Sequence, residues 1–416
     1  MKTLAALACA LAALAPAPLR ADDPVDLLDS ALSVSADHDQ VRARLSGALD
    51  LEAYDFAQPA PGLIYSAGHE LFNPRLSLFL DAQLGPIVYL FAEARLDRGF
   101  DPGEQPLGPR LDELAARISP WTDGRLNLQV GKFATVVGNW APRRDSWDNP
   151  FVTAPLPYEN LTGVWSVAAP RSVNELLLWS NAGPKPAPGN AFPDKDNSVP
   201  ILWGPSYASG AAVSGRLGNF DLAAEVKNAA LSSHPADWDP GQERWTYPTV
   251  SARLGWRPDE SWDFGLSGST GSDLEASAAP TLAPGEGLGD YRETVLGEDA
   301  SFAWHHLQLW AEGYEAWFRI PRLGSFGTAA YYLEAKYRFT AQLSGALRWN
   351  QQLFASVPTR AGTRARWGNN LARIDAGPGY RFTAHTQLKL QYSLQDEDGA
   401  GGGWTSLLAA QFTVRF

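Results

Sequence analysis

Residues 134–159 gather the side chains of this chain best suited to act on a passing solute. The run reads Thr135-Val-Val-Gly-Asn-Trp-Ala-Pro-Arg-Arg-Asp-Ser-Trp-Asp-Asn-Pro-Phe-Val-Thr-Ala-Pro-Leu-Pro-Tyr-Glu159. Arg143, Arg144, Asp145 and Asp148 bring charges of both signs, and charges fixed beside a water path sort ions. Trp140, Trp147, Phe151 and Tyr158 supply apolar bulk, while Pro150, Pro155 and Pro157 stiffen the backbone. Such a segment is expected to pack on itself, either inside a scaffold or as a cap over its rim. Bond-making chemistry has no comparable cluster. His305, His306 and His385 fall in short turns, His69 and His234 in long connections where the sequence identifies no nearby Ser or Asp to make a catalytic set, and His38 precedes the regular pattern. Gly-x-Ser-x-Gly, His-Glu-x-x-His and Cys/His metal spacings do not occur. Gly265-Leu-Ser-Gly-Ser-Thr-Gly271 is not followed by the Lys of a phosphate loop, and Asn160-Leu-Thr162 matches a glycosylation acceptor by chance. No cofactor, metal or catalytic residue is therefore expected, and a hydrolase is the competing class.

The elements that would position these charges are strands. Alternation of period two recurs from Val41 to the end of the chain. Leu76, Leu78, Leu80, Ala82 and Leu84 oppose Ser77, Phe79, Asp81 and Gln83, and Tyr331, Leu333, Ala335, Tyr337 and Phe339 oppose Tyr332, Glu334, Lys336 and Arg338. Strands are expected at 42–54, 74–84, 87–97, 110–118, 124–133, 160–168, 172–180, 207–216, 218–228, 246–256, 261–269, 291–304, 306–318, 328–339, 341–354, 370–382, 386–396 and 404–416. That makes about eighteen, or about sixteen if weak ones merge, both even as a closed barrel asks. Short connections such as Gly85-Pro86 and Leu217-Gly-Asn219 alternate with long ones such as 55–73, 98–109 and 134–159. A Greek-key sandwich would not sort its loops by parity. Pro378, lacking an N–H, suggests a bulge between Gly377 and Gly379.

Composition agrees. Aromatic residues make up 11% of the chain and Gly numbers 38, while the one Met is the initiator. Lys2, an Ala/Leu run over residues 4–15 and a small-residue site ending at Ala21 read as a cleaved secretory signal; the run is far shorter than the roughly 20 residues a spanning helix needs. Cys9, the only cysteine, lies inside it. Residues 22–41 are acidic and form a lead-in without a strand pattern, and 42–416 form the barrel. The formal net charge of −12 argues against nucleic acid.

The last strand, Trp404-Thr-Ser-Leu-Leu-Ala-Ala-Gln-Phe-Thr-Val-Arg-Phe416, carries Leu408, Ala410, Phe412, Val414 and Phe416 on one face and ends flush on an aromatic. It resembles the closing strand of bacterial outer-membrane β-barrels. The even strand count, loop parity and a ring of outward aromatics (Trp256, Trp262, Trp304, Phe339, Phe382, Phe416, with Tyr331, Trp349, Tyr392 and Trp404 at the other end) extend that resemblance to Gram-negative porins over nearly the whole chain after the signal. Val130-Gly-Lys-Phe133 resembles the junction before the third loop of phosphate-selective porins. The resemblance implies an all-β transmembrane antiparallel barrel whose third long loop folds inward. It also implies residence in outer-membrane lipid, handling by the barrel-assembly machinery through the C-terminal strand, and a homotrimer. Lumen-facing charges on the C-terminal wall lean basic (Lys336, Arg338, Arg348, Arg373, Arg381, Lys389, Arg415), while the N-terminal wall is mixed (Arg44, Asp50, Glu52, Asp81, Glu93, Arg95, Arg125). The expected function is passive diffusion of small polar solutes with mild preference for anions. The alternative is a specific channel for sugars or aromatic acids along Phe79, Tyr89, Phe91, Trp310, Tyr314 and Tyr332.

Overall fold

A computed structural model describes residues 32–416, except 37–39, 59, 67, 100–105, 122, 183–194, 238–244 and 399–402. The signal segment 1–21 with Cys9, and most of the lead-in, lie outside the described residues. The strands are β1 (Ser33–Ala36), β2 (Val41–Phe56), β3 (Glu70–Leu84), β4 (Val88–Asp97), β5 (Gly108–Ile118), β6 (Asn127–Phe133), β7 (Ala208–Leu217), β8 (Phe220–Lys227), β9 (Thr249–Trp256) and β10 (Trp262–Gly271). They continue as β11 (Arg292–Trp304), β12 (Leu307–Ile320), β13 (Gly324–Arg338), β14 (Leu343–Phe354), β15 (Ser356–Pro358), β16 (Arg364–Arg366), β17 (Leu371–Arg381), β18 (Thr386–Glu397) and β19 (Thr405–Arg415).

Each barrel strand pairs antiparallel with its sequence neighbours, and β19 pairs back onto β2, closing a barrel of 16 strands. Closure leaves no edge, the condition for β structure in lipid. The seam ends at the C-terminus, where Phe416 and Gly47 exchange backbone hydrogen bonds of 2.9 Å. The Phe416 ring lies where a Gly47 Cβ would stand, 2.5 Å away, so glycine makes room for the terminal aromatic. The short β1 continues that seam by pairing with Val41–Arg44, a strand that the acidic lead-in did not announce.

The alternation sorts as expected, with oil outside and polarity within. Leu45, Leu80, Leu254, Leu333 and Leu390 are exposed on the outer face, whereas Asp50, Glu93, Glu312, Glu334, Asp375 and Gln391 are buried inside. Trp256, Trp262, Trp304 and Phe339 stand exposed at the short-turn end, where interfacial aromatics belong.

Two expected strands are absent. Residues 160–168 form irregular backbone with one isolated bridge, Trp165 to Ser198, and 172–180 lie in a helix, α1 (Val173–Ala182). Both belong to a single connection between β6 and β7, which leaves the lower of the two strand counts. Leu176-Leu-Leu-Trp179 offers no alternation, and Ser172 with Glu175 makes a helix start: the Glu175 N–H donates to Ser172 Oγ at 3.2 Å, while the Glu175 carboxylate accepts from the Arg171 N–H at 2.7 Å. At Pro378 the ladder to β18 is interrupted, yet Ala376↔Tyr392 and Gly379↔Lys389 keep one register, so there is no bulge. The bulge lies instead on β5, where Glu93↔Glu113 is followed by Ala94↔Leu111 and Asp112 is the extra residue.

Candidate functional site

The β6–β7 connection enters the barrel, and its first part, 134–159, is fastened to the inner wall. Gly138 makes the approach possible: its φ is +74°, and a Cβ there would meet Tyr314 Oη at 2.0 Å and Tyr158 Oη at 2.7 Å. Glu312 on β12 then accepts from the Asn139 N–H, from the Trp140 N–H at 2.8 Å and from Tyr158 Oη at 2.6 Å. Trp140 is buried with its ring 4.6 Å from that of Tyr158. Arg143 pairs with Glu334, donates to Tyr332 Oη at 2.8 Å and lies 4.4 Å over the Trp310 ring.

Much of the expected basic wall is spent on holding this loop. Arg348, fully buried, pairs with Glu334 and Asp375 at 3.3 and 2.8 Å and donates to the Thr153 and Ala154 carbonyls. Arg373 pairs with Glu159 and donates to the Ala154 carbonyl at 2.6 Å. Lys389 donates to the carbonyls of Ser146, Asn149 and Phe151. Gln391 accepts the N–H groups of Val152 and Thr153. A basic residue tied to carbonyls holds backbone, not solute. The remaining members surround a bay of about 460 Å³ below the loop, at the short-turn end: Lys336, Arg338 and Arg381, with Asp148 as its carboxylate. Trp147 lies between that bay and its neighbour, under Arg381 and Arg415 at 4.8 and 3.9 Å.

The loop leaves open the wall formed by β2–β5. Above it a cavity of about 150 Å³, and below it one of about 510 Å³, share Arg75, Arg95, Arg144 and Ser146 in their linings. These four residues are where the two cavities adjoin. Arg75 pairs with Asp50 and Glu52 at 3.2 and 2.6 Å; Arg95 pairs with Glu93, with Asp112 at 3.0 Å and with Asp145 at 3.5 Å; Arg144 pairs with Glu93 and with Glu113 at 3.1 Å. The guanidiniums face the water: the side chains of Arg75, Arg95 and Arg144 are 20%, 11% and 12% exposed, against 2% or less for Asp50, Glu52, Glu93 and Asp112. The bulge at Asp112 turns both Asp112 and its sequence neighbour Glu113 inward, an arrangement that strict alternation forbids.

Sequence reasoning missed Arg75 and Arg110. Arg75 shares the inward parity of Ser77 and Asp81, so parity alone could have found it. The fastening role of Glu312 had no sequence signal. The inward aromatics are scattered: Tyr314 and Tyr332 are buried against the loop, Trp310 lies under Arg143, and Tyr89 and Phe91 stack on each other at 5.9 Å.

No family model matches this sequence, and no curated protein matches it. Solved structures do share the fold. OmpF of Salmonella typhi, in complex with daunomycin, superposes with a TM-score of 0.57 at 13% identity, covering 92% of this chain and 100% of that one. An anion-selective porin from Comamonas acidovorans gives 0.54 at 12% identity, covering 90% and 100%. The outer-membrane channel DcaP of Acinetobacter baumannii gives 0.53 at 8% identity, covering 92% and 99%. This chain therefore has the closed β-barrel fold of those porins.

Proposed function

We propose that the protein is a passive diffusion channel for small polar solutes that passes anions more readily than cations. The observation that supports this most is the trio Arg75, Arg95 and Arg144 lining both cavities, with Asp50, Glu52, Glu93 and Asp112 sunk behind them, while Glu113 and Asp145 remain partly exposed. A cation crossing there meets guanidinium tips first; an anion meets donors that are already oriented. The basic bay around Lys336, Arg338 and Arg381 adds to the positive potential at the short-turn mouth. The constriction residues of the loop divide their work on this reading. Arg144 and Asp145 line the path, Arg143 and Trp140 anchor the loop, and Trp147 and Asp148 part the two lower cavities. The scattered aromatics do not favour a sugar slide. Trimeric assembly stays an expectation of the porin resemblance, to be checked by cross-linking in mild detergent.

Reversal potentials in a potassium chloride gradient across a planar bilayer test the reading. Chloride preference is expected in the wild type, and Arg75→Gln with Arg144→Gln should lower the chloride-to-potassium permeability ratio severalfold. Cation preference in the wild type, or the absence of any conductance, overturns it.

A further inference from the structure

At the long-loop end of β9–β11, three inward positions stand in one row. Glu293 is the direct cross-strand partner of Gly271, and Thr249 faces Gly271 from the other side, one step beyond the Val250↔Thr270 pair. Gly271 has no side chain, and the Thr249 hydroxyl fills its place: a Cβ there would stand 2.0 Å from Thr249 Oγ1. The hydroxyl is thus turned across the gap toward Glu293. Asp273 follows two residues after Gly271 and is buried. From the β8–β9 loop, Leu231 donates its N–H to Glu293 Oε1 at 2.7 Å, and Ser232 lies against the same carboxylate.

The row leaves demands unmet. Asp273 Oδ1 and Thr249 Oγ1 are buried without a hydrogen-bond partner among the described residues, and Glu293 is met only by neutral donors, from Leu231 and Ser232. Among the described residues, neither carboxylate forms an ion pair with an arginine or lysine. Elsewhere in the lumen the rule is the opposite, since Glu93, Asp112, Glu334 and Asp375 each carry an arginine. Two carboxylates taken out of water need a positive charge or a proton.

We propose that Glu293, Asp273, Thr249 and Ser232 bind a divalent cation, calcium by its chemistry, which ties the loop after β8 to the loop after β10 at the outer rim. Every donor is oxygen, which suits a hard ion and not zinc. Among the described residues no three His, Cys, Asp or Glu are placed to hold a metal ion by themselves, so hydroxyls, carbonyls and water must complete the shell. Calcium accepts such irregular sets of six to eight oxygens, whereas magnesium demands a near-ideal octahedron. Gly271 is the cradle: any side chain there would displace the Thr249 hydroxyl.

Calcium binding by the chelator-stripped, detergent-folded barrel tests this by calorimetry, with folding of every variant verified by its boiling-dependent gel shift. One ion per chain is expected, with affinity falling about tenfold or more in Glu293→Gln and Asp273→Asn. A smaller loss is expected in the near-isosteric Thr249→Val, and none in Glu298→Gln, whose carboxylate lies on the outer face. Absence of binding to the wild type at millimolar calcium, or equal binding by wild type and both carboxylate variants, overturns the proposal and leaves a protonated acid pair in its place.

Discussion

At the residue scale, the lumen pairs most of its buried carboxylates with an arginine, and the consequences of breaking a pair depend on what remains. Arg348 serves Glu334 and Asp375 together and also holds two loop carbonyls. Arg348→Ala takes one of two arginines from each buried acid, Glu334 keeping Arg143 and Asp375 keeping Arg373, and removes a donor from two loop carbonyls, so a loss of about 1–3 kcal/mol is expected. A lower temperature for the gel-mobility shift in mild detergent would measure it; an unchanged temperature would mean the acids are solvated. Glu298 is the opposite case. It is exposed on the lipid side of β11, directly across from outward Leu266 and Gly313, with Glu315 its diagonal neighbour on β12. Removing a carboxylate from that face should stabilise the barrel, so Glu298→Leu is expected to gain on the order of 1 kcal/mol in urea unfolding from vesicles.

At the scale of elements, the inserted loop behaves as a plug hung from one wall. Its fastening on β12 runs through Glu312, which takes three donors from the loop. Glu312→Ala releases all three, and the expected outcome is a larger, noisier single-channel conductance with the barrel still folded. Gly138→Val should act in the same direction by pushing the loop off Tyr314. A quiet, wild-type current in both variants would show that the loop is held by its other anchors alone. Outside the membrane, Glu286 latches the loop after β10 to the β12–β13 turn, accepting from Tyr291 at 2.7 Å and pairing with Arg322 at 2.7 Å. The Tyr291 hydrogen bond, helped by Arg322, holds the Glu286 carboxyl below its usual range. Its folded pKa is depressed, so the latch is intact above the unfolded value and is lost as pH falls below about 4. Faster amide exchange at residues 284–291 in acid, abolished as a pH effect in Glu286→Gln, would report it.

At the scale of the whole molecule, the barrel is neither a solid cylinder nor an open pipe. Its outer half is packed around the loop by Val137, Tyr158, Leu176, Ile201, Phe318 and Trp367, all buried in one cluster. The inner half keeps water-filled bays along both walls. The two cavities that share Arg75, Arg95 and Arg144 lie toward β2–β5, and on the proposed reading that asymmetry would carry the selectivity. Liposome swelling is expected to be fast for monosaccharide-sized solutes and much slower for larger ones; indifference to solute size would place the path elsewhere.

The sequence by itself determined the closed barrel, because period-two alternation records on every strand which face meets lipid and which meets water. Loop parity and the flush terminal Phe416 added orientation and closure for the same reason, since each is a local pattern. The tertiary structure alone decided which charges are free. Arg348, Arg373 and Lys389 look like lining in sequence, but loop carbonyls brought from 195 to 243 residues away consume them. Arg75, Arg95 and Arg144 gain their place from the wall that the loop leaves bare, and Asp112 and Glu113 from a bulge that alternation cannot express. Facing is written locally along a strand; partnership across the lumen is set only when the ring closes.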